Sequence, residues 1–425
     1  MRFPVLYGFA FFLLYIPAAS QEVKREELQK LVDEVVAGNP EIAARRSAIT
    51  MYERRIPQAG ALADPELSVK LMEIPGTRFS EAMSAKVELM QMFPFPAKLG
   101  TRNDLARVQS EHAHHDYMEK AVSIVAELKS TVAMLWFTRT SLQLNSDNQD
   151  LARQILKSAE TLYAVGKASQ SEVLKSRIEL SKLATEESRI RQEIISAESM
   201  LRAILNRSND APIGEIVIQE PGTQLPSLED LLRFAPAHRP MLLHDSLSVV
   251  ESRLSLDLMK QEYLPDFKLA LEYVRFPALK ENRWSIAAGI TLPFAPWTLA
   301  KASSRVEEAE AAQRMRSLMY RGTRNMVLSR ITDAYAKVRS FEAQWKTFEE
   351  SIVPLTAQSL QALLTEYQTG RTSFFMVLDT YRMFHDMKQD AAMASMNYHQ
   401  SLANLERELG IFDLTDVSAS DKEKE

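Results

Sequence analysis

A chain of 425 residues, 46% hydrophobic and 25% charged, with only 12 glycines and 18 prolines, has the composition of a folded, mostly helical protein and not of a disordered one. Its formal net charge of −5 gives no basic footprint for nucleic acid. The absence of cysteine excludes disulfides, thiolate metal sites and an acylated N-terminal cysteine, so packing or oligomerisation must hold the fold.

Residues 1–20 carry Arg2, an apolar run from Val5 to Ile16 and then Ala18-Ala19-Ser20. This reads as a cleaved secretory signal with a mature start near Gln21, because the run is short for a bilayer span and ends in small residues. No later run approaches 18 uninterrupted apolar residues. A short amphipathic helix is expected over Glu26–Asn39, stopped by Gly38-Asn39-Pro40, and a second over Glu41–Leu62.

The period then changes from helical to two. Leu67, Val69 and Leu71 alternate with Ser68 and Lys70, a turn follows at Pro75-Gly76-Thr77, and Met83, Ala85, Val87 and Leu89 alternate with Ser84, Lys86 and Glu88. Two half-buried strands are expected. After Phe93-Pro94-Phe95-Pro96 a proline-free stretch runs from Lys98 to Val165, with Val125, Leu128, Val132, Leu135 and Leu142 in heptad-like steps. Such a helix is about 100 Å long. It reverses at Tyr163-Ala164-Val165-Gly166-Lys167-Ala168-Ser169, where Gly166 suits a C-terminal cap and Ser169 with Glu172 a capping box. The returning helix reaches about Arg207, and a polar linker follows to Pro226.

The pattern then repeats. Leu228–Pro240 echoes Leu28–Pro40, Phe267–Tyr273 and Trp284–Leu292 alternate as strands, and a second rod near Thr298–Tyr367 carries Leu328, Ile331, Tyr335 and Val338. Gly322 and Pro354 are expected to interrupt this rod. Tyr367–Ser373 echoes Tyr163–Ser169. The chain is therefore a tandem duplication. Residues 21–212 form a first repeat (helices 26–62, β-hairpin 66–92, long helical hairpin 98–207), and 213–226 a linker. Residues 227–411 form a second repeat (helices 228–263, β-hairpin 266–292, helical hairpin 298–409), with 412–425 a disordered tail.

Four strands with one apolar face cannot close a barrel, and an open edge in lipid leaves backbone groups unpaired. Strands placed in a membrane must be pooled from several chains, with apolar residues toward lipid and Lys70, Lys86, Glu88, Lys268 and Glu272 toward a wet lumen. Phe79, Tyr273, Phe276, Trp284, Phe294 and Trp297 lie near strand ends, as interfacial aromatics do. An ordinary sheet packed on the rods would carry such residues too.

The chain resembles the TolC-like outer membrane efflux proteins, including those of heavy-metal and multidrug tripartite systems. The resemblance covers nearly the whole mature chain. It rests on Asn39-Pro40-Glu41-Ile42, Pro57-Gln58-Ala59-Gly60 through Asp64-Pro65, Phe93–Gly100, and the two tip turns. It implies a mostly α fold with membrane β-hairpins, a tandem-duplicated α-barrel and a pooled twelve-stranded transmembrane barrel in a homotrimer. It also implies outer-membrane lipid around the barrel, a periplasmic adaptor (membrane fusion) protein at the tips and an inner-membrane transporter as the energy source. The expected role is a passive exit duct for efflux. A type I protein-secretion duct and a periplasmic coiled-coil scaffold are the alternatives.

In that family the tip turns meet the adaptor, which points to Gly166, Lys167, Ala168 and Ser169 with Gly370 and Ser373. The resemblance also places a periplasmic gate at Tyr367, Arg371, Thr372, Phe374, Phe375 and Asp379. Tyr367 matches a tyrosine that keeps the tip shut. The arginine expected two residues after the glycine is replaced by Thr372, with Arg371 adjacent, and a second aperture aspartate is replaced by Met376. The latch is therefore expected to differ, closed partly by Phe374 and Phe375. Three copies of Asp379 would ring the pore with charge suited to cations.

His112 and His115 are three residues apart on one helix face, a spacing open to two metal ligands, yet no carboxylate–histidine motif supports them and a solvated face is the plainer reading. Met90 and Met92 read as core or interface filling. Gly166-Lys167 is no phosphate loop, since Thr161 and Ala168 stand where glycine and Ser/Thr are required. No HExxH, GxSxG or paired-cysteine motif occurs, so no enzyme, cofactor or metal site is expected.

Overall fold

The computed structural model describes residues 25–72, 74, 82, 84–222, 225–276, 280–293 and 295–414. The expected signal segment, the Pro75–Thr77 turn, Met83, Phe79, Phe294 and residues 415–425 lie outside the described residues. The first half contains β1 (Arg25–Glu26), α1 (Leu28–Gly38), α2 (Pro40–Ala59), β2 (Glu66–Met72), β3 (Ser84–Phe93), α3 (Pro96–Ala164) and α4 (Gln170–Ile204). After β4 (Glu215–Ile216), the second half contains α5 (Leu228–His238), α6 (Pro240–Gln261), β5 (Phe267–Phe276), β6 (Glu281–Ile290), α7 (Pro296–Thr347), α8 (Val353–Gln368) and α9 (Phe374–Leu409).

Helix α3 spans 69 residues, about 100 Å at 1.5 Å each. Its seam residues Val125, Leu128, Val132 and Leu135 are all buried. They pack with Leu31, Val35 and Ile42 of the short helices and Leu201 of α4. The second half builds a matching core, in which Leu231, Ala235 and Leu242 meet Val327, Ile331, Ala334 and Val338 of α7 and Leu405 and Leu409 of α9. The buried α7 seam thus runs through Val327, Ile331, Ala334 and Val338, and the expected Leu328 and Tyr335 flank it at half burial. One 18-residue window of α3 is apolar enough to cross a bilayer by composition, but 61% of it is buried within the protein. That window is core.

Three expectations need correction, and one at Pro354 is met. Gly322 does not interrupt the second rod, and α7 runs straight through it. Pro354 does perturb the rod, because its missing N–H leaves the carbonyl four residues earlier without a donor. A π-helical turn, Phe348–Ile352, precedes α8 there. The linker contains β4, which pairs in parallel with β1 through Arg25↔Glu215 and Glu26↔Ile216. The described part of the expected disordered tail, 412–414, is packed on the helices. Phe412 packs on the first core and Leu414 in the second, while Lys129 donates to the Phe412 carbonyl at 2.6 Å.

Strands β2, β3, β5 and β6 form one antiparallel sheet in that order, so the hairpins of the two halves join through β3 and β5. The sheet is fixed to the rods at the start of α3. Lys98 Nζ donates to Asp266 Oδ1 at 2.8 Å and to the Leu264 carbonyl at 2.9 Å, and the same carboxylate accepts from the Phe95 amide at 3.0 Å. The Lys98 side chain is only 8% exposed, so its charge is matched at once by a carboxylate and a carbonyl.

The duplication extends to the joints. Asn39 caps α2 by accepting from Glu41 and Ile42 amides and donates to the Ile204 carbonyl at the end of α4 at 2.8 Å. At the corresponding place in the second half, buried Arg239 donates to the Arg407 carbonyl near the end of α9 at 2.6 Å and to Glu119 of α3 at 2.9 Å. Helices α4 and α9 both end on a left-handed residue, Asn206 (φ 55°) and Gly410 (φ 80°). At Gly410 a Cβ would collide with Pro240 Cδ and lie 3.1 Å from Arg239 Cα. Gly166 has φ 70° but open space around it. Gly410→Ala should therefore cost about 3 kcal/mol, combining left-handed strain with overpacking, whereas Gly166→Ala should cost about 1 kcal/mol. Thermal unfolding of the two variants in detergent checks the order, and equal losses would contradict it.

Candidate functional site

Two regions carry chemistry that packing alone does not explain: the two faces of the sheet and the paired tips of the rods. In the sheet, cross-strand register places Val69, Val87, Tyr273 and Trp284 in one row and Leu67, Leu89, Leu271 and Ile286 in the next, all on one face. Most of these apolar side chains are exposed, Ile286 to 75% and Trp284 to 68%. The Tyr273 and Trp284 rings tilt together at 4.8 Å. The opposite face holds Lys70, Lys86, Glu88, Lys268 and Glu272, so the sheet brings all five expected polar positions to one side. Lys86 Nζ lies 2.6 Å from Glu272 and 3.0 Å from Glu88, Lys70 approaches Glu88 at 3.9 Å, and Ser285 donates to Glu272 at 3.2 Å. Lys268 lies on that face nearer the start of β5. A sheet with a greasy exposed face and an ion-paired face is built for two solvents.

The tips repeat one another in backbone detail. Gly166 (φ 70°) and Gly370 (φ 74°) end α3 and α8. The Lys167 amide donates to the Leu162 carbonyl at 2.8 Å, and the Arg371 amide to the Glu366 carbonyl at 2.9 Å. Both are the wide closing bonds of a glycine-terminated helix. Ser169 and Glu172 form the expected reciprocal capping box. Ser373 caps α9 from one side only, because Met376 stands where Glu172 stands in the first tip. Gly166, Lys167, Ser169, Gly370 and Ser373 are exposed and Ala168 is half-buried, so both turns present their backbone outward.

Tyr367 is buried, and its hydroxyl donates to Glu172 Oε2 at 2.9 Å. Burial and the adjacent Glu172 carboxylate together push the phenol well above its usual pKa. Sequence reasoning missed Glu172 as the partner of Tyr367. Oε1 of this glutamate completes the α4 cap while Oε2 holds α8, so one side chain ties the two tips together. The capping-box spacing was the available signal, but it concealed the second role.

Phe374 requires a correction. Its side chain is 5% exposed, packs in the protomer's own tip core with Val173, Val377 and Tyr381, and lies 5.9 Å from the Tyr367 ring. It packs beside Tyr367 and presents nothing outward. Phe375 points the other way and is 67% exposed. Adjacent helix positions differ by about 100°, which separates the two rings. Thr372 is half-buried, and Arg371 and Asp379 are exposed, with no hydrogen bond or ion pair to their side chains among the described residues.

A family model for outer membrane efflux proteins matches residues 31–207 and 231–411, one stretch in each half. The chain belongs to the outer membrane efflux protein family. No curated protein matches it in sequence. Among solved structures, the outer-membrane channel OprN aligns with a TM-score of 0.77 at 15% identity, over 90% of this chain and 89% of that one. CusC gives 0.77 at 15% identity over 90% and 92% of the two chains. The outer membrane protein VceC from Vibrio cholerae gives 0.75 at 16% over 91% and 97%. At these identities the likeness is one of fold, and that fold is the TolC-like architecture expected from the sequence. This efflux protein is placed by its family in the bacterial outer membrane, with its rods extending into the periplasm.

Of the two histidines, His112 does not lie on a solvated face, contrary to expectation, while His115 is half-buried. The efflux protein folds α6 onto α3, which buries most of the His112 ring 4.3 Å from that of His244 and puts Nε2 3.5 Å from Glu251. Neither nitrogen of His112 has a hydrogen-bond partner. Among the described residues, no group of three or more His, Asp or Glu is arranged to hold a metal. Burial first, and repulsion from His244 second, hold His112 below its ordinary pKa of 6.5. A depressed histidine favours the folded state above the unfolded value and loses that contribution as pH falls through the folded one. Stability should thus decline as pH drops below 6.5, and His112→Gln should flatten the decline. Thermal midpoints across pH 5–8 measure it, and an unchanged slope would assign the decline to other groups.

Proposed function

We propose that this efflux protein is the passive exit duct of a tripartite efflux system. Three copies pool four strands each into a twelve-stranded barrel across the outer membrane, and their rods line a periplasmic tube. An inner-membrane transporter supplies the energy, and a periplasmic adaptor docks on the tip turns at Gly166–Ser169 and Gly370–Ser373. The sheet carries the reading. Its apolar face is exposed, its other face is ion-paired, and β2 and β6 leave two open edges that lipid does not tolerate. The rods point to the same closure. Helix α7 leaves Met315, Leu318 and Met319 exposed, while α4, packed on the far side of α3, exposes Leu174, Ile178 and Ile195. A neighbouring copy would cover both faces.

In this reading Lys70, Lys86, Glu88, Lys268 and Glu272 line the lumen, and the gate lies at the tips. Tyr367 holds α8 to Glu172, Asp379 contributes one carboxylate per copy to the aperture, and Phe375 adds an apolar ring. Arg371 and Thr372 lie at the turn, free to meet a neighbour or the adaptor. Adaptor contacts open the tips by binding the open arrangement more tightly than the closed one.

Single-channel conductance in planar bilayers tests this. The unmodified protein should show a small, cation-preferring conductance. Tyr367→Phe should open roughly tenfold more often, the effect of losing one hydrogen bond to a charged acceptor. Asp379→Asn should reduce cation preference without changing the frequency of opening. Folded protein that neither inserts nor conducts would refute the duct, and unchanged selectivity in Asp379→Asn would remove the aspartate ring.

A further inference from the structure

Three rods, the π-helical turn and the linker enclose a cavity of about 300 Å³ that the duct reading leaves unused. Helix α9 packs against both α3 and α7 and forms the floor between them. There Ala391, Ala392 and Ser395 are small enough to leave a gap. Trp136 of α3 and Trp345 of α7 line the gap, and both are half-buried. The π-helical turn supplies Glu349, and the linker contributes Glu220. Turns of this kind recur at functional sites, where they redirect side chains that a regular helix would place elsewhere.

The charges around this cavity are unbalanced. Neither the Glu220 nor the Glu349 carboxylate has a hydrogen bond or ion pair among the described residues. Lys388 also lines the cavity, but its ammonium sits over the Phe384 ring, 4.8 Å from the centroid. Two free carboxylates against one engaged ammonium leave the lining negative. Indole faces attract a cation that carries apolar surface, whereas a small hydrated ion keeps its water. An anion would meet both carboxylates, and a neutral ligand would desolvate them without compensation. The volume suits a ligand with a single ring, at the small end of ligand cavities.

We propose that this cavity binds a small organic cation, a substituted or quaternary ammonium on an aromatic or alkyl body. Trp136 and Trp345 present their faces to the charge, and Glu349 and Glu220 balance it. Every wall belongs to one chain, so the site stands whether or not the duct reading holds. A bound cation bridges α3, the linker and the turn between α7 and α8.

Titration calorimetry of the full chain in a maltoside detergent, with benzyltrimethylammonium as the probe, tests this. It should show one saturable site per chain with a Kd of about 0.1–1 mM, the range open to a ligand of this size. Trp345→Leu should weaken binding roughly tenfold through loss of a cation–π face. Glu349→Gln should weaken it roughly fivefold, and Lys388→Gln should tighten it roughly threefold by removing the competing ammonium. Ala392→Leu fills the floor without touching a charge and should abolish binding. Trp345→Phe keeps a ring and should retain most of the affinity, which separates loss of the aromatic face from loss of folding. Benzyl alcohol and benzenesulfonate, a neutral and an anionic ligand of similar size, should bind roughly tenfold more weakly or not at all. Equal binding of all three ligands would overturn the site, as would an affinity unchanged in both Trp345→Leu and Ala392→Leu. Folded protein that gives no saturable binding would overturn it too.

Discussion

Everything in this fold depends on covering a helix of 69 residues. A rod about 100 Å long buries no apolar surface by itself, and its stability must come from neighbours along its whole length. Helices α2 and α4 cover α3 from the first half, and α6 and α9 cover it from the second. The duplicated halves are thus two coats on one rod. That explains why the first core is centred on α3 while the second, built from equivalent short-helix residues, is centred on α7. It also explains why α7, with no rod beyond it, keeps a methionine-rich face exposed.

Long rods need firm joints, because a small angular error at one end becomes a large displacement at the other. Charged or amide side chains with little exposure supply them. Lys98 and Asp266 fix the sheet to α3, Asn39 ties the α1–α2 corner to the end of α4, and Arg239 does the same for α9 while reaching Glu119. In each case a donor satisfies helix-terminal or corner carbonyls that would otherwise be buried unpaired. The substitution of Arg239 for Asn39 between repeats keeps the tie and adds a link to the central rod. Gly410 is forced by the same crowding, since only a residue without Cβ lets α9 end against Pro240.

At the far end, helix capping and the tie between the two hairpins share side chains. Glu172 caps α4 and accepts from Tyr367, and Phe374 sits beneath Tyr367 in the tip core. Apolar packing continues to the tip, where Ala152, Ile155 and Val173 of the first hairpin meet Leu360, Val377 and Tyr381 of the second, and the Tyr367–Glu172 bond adds a polar link between the two hairpins. Polar links of this kind can be exchanged for contacts with a partner without unfolding the rods.

The sequence by itself determined the local content of this protein: the rods from heptad spacing, the strands from alternation, the two glycine turns, the duplication and the polar face of the sheet. These are set by the direction in which each side chain leaves a regular backbone, which residue order fixes. Even Gly322 shows the limit, since a lone glycine costs about 1 kcal/mol in a helix and the packing of α7 outweighs it. What only the tertiary structure decided was phase. Whether Phe374 or Phe375 faced inward, whether His112 met water or His244, and which acids met Tyr367 and Arg382 depended on how rods some 200 residues apart rotate and slide against each other. A rotation of one residue on a helix changes its contact face by about 100° while leaving the apolar period intact, so spacing alone carries no record of the partner.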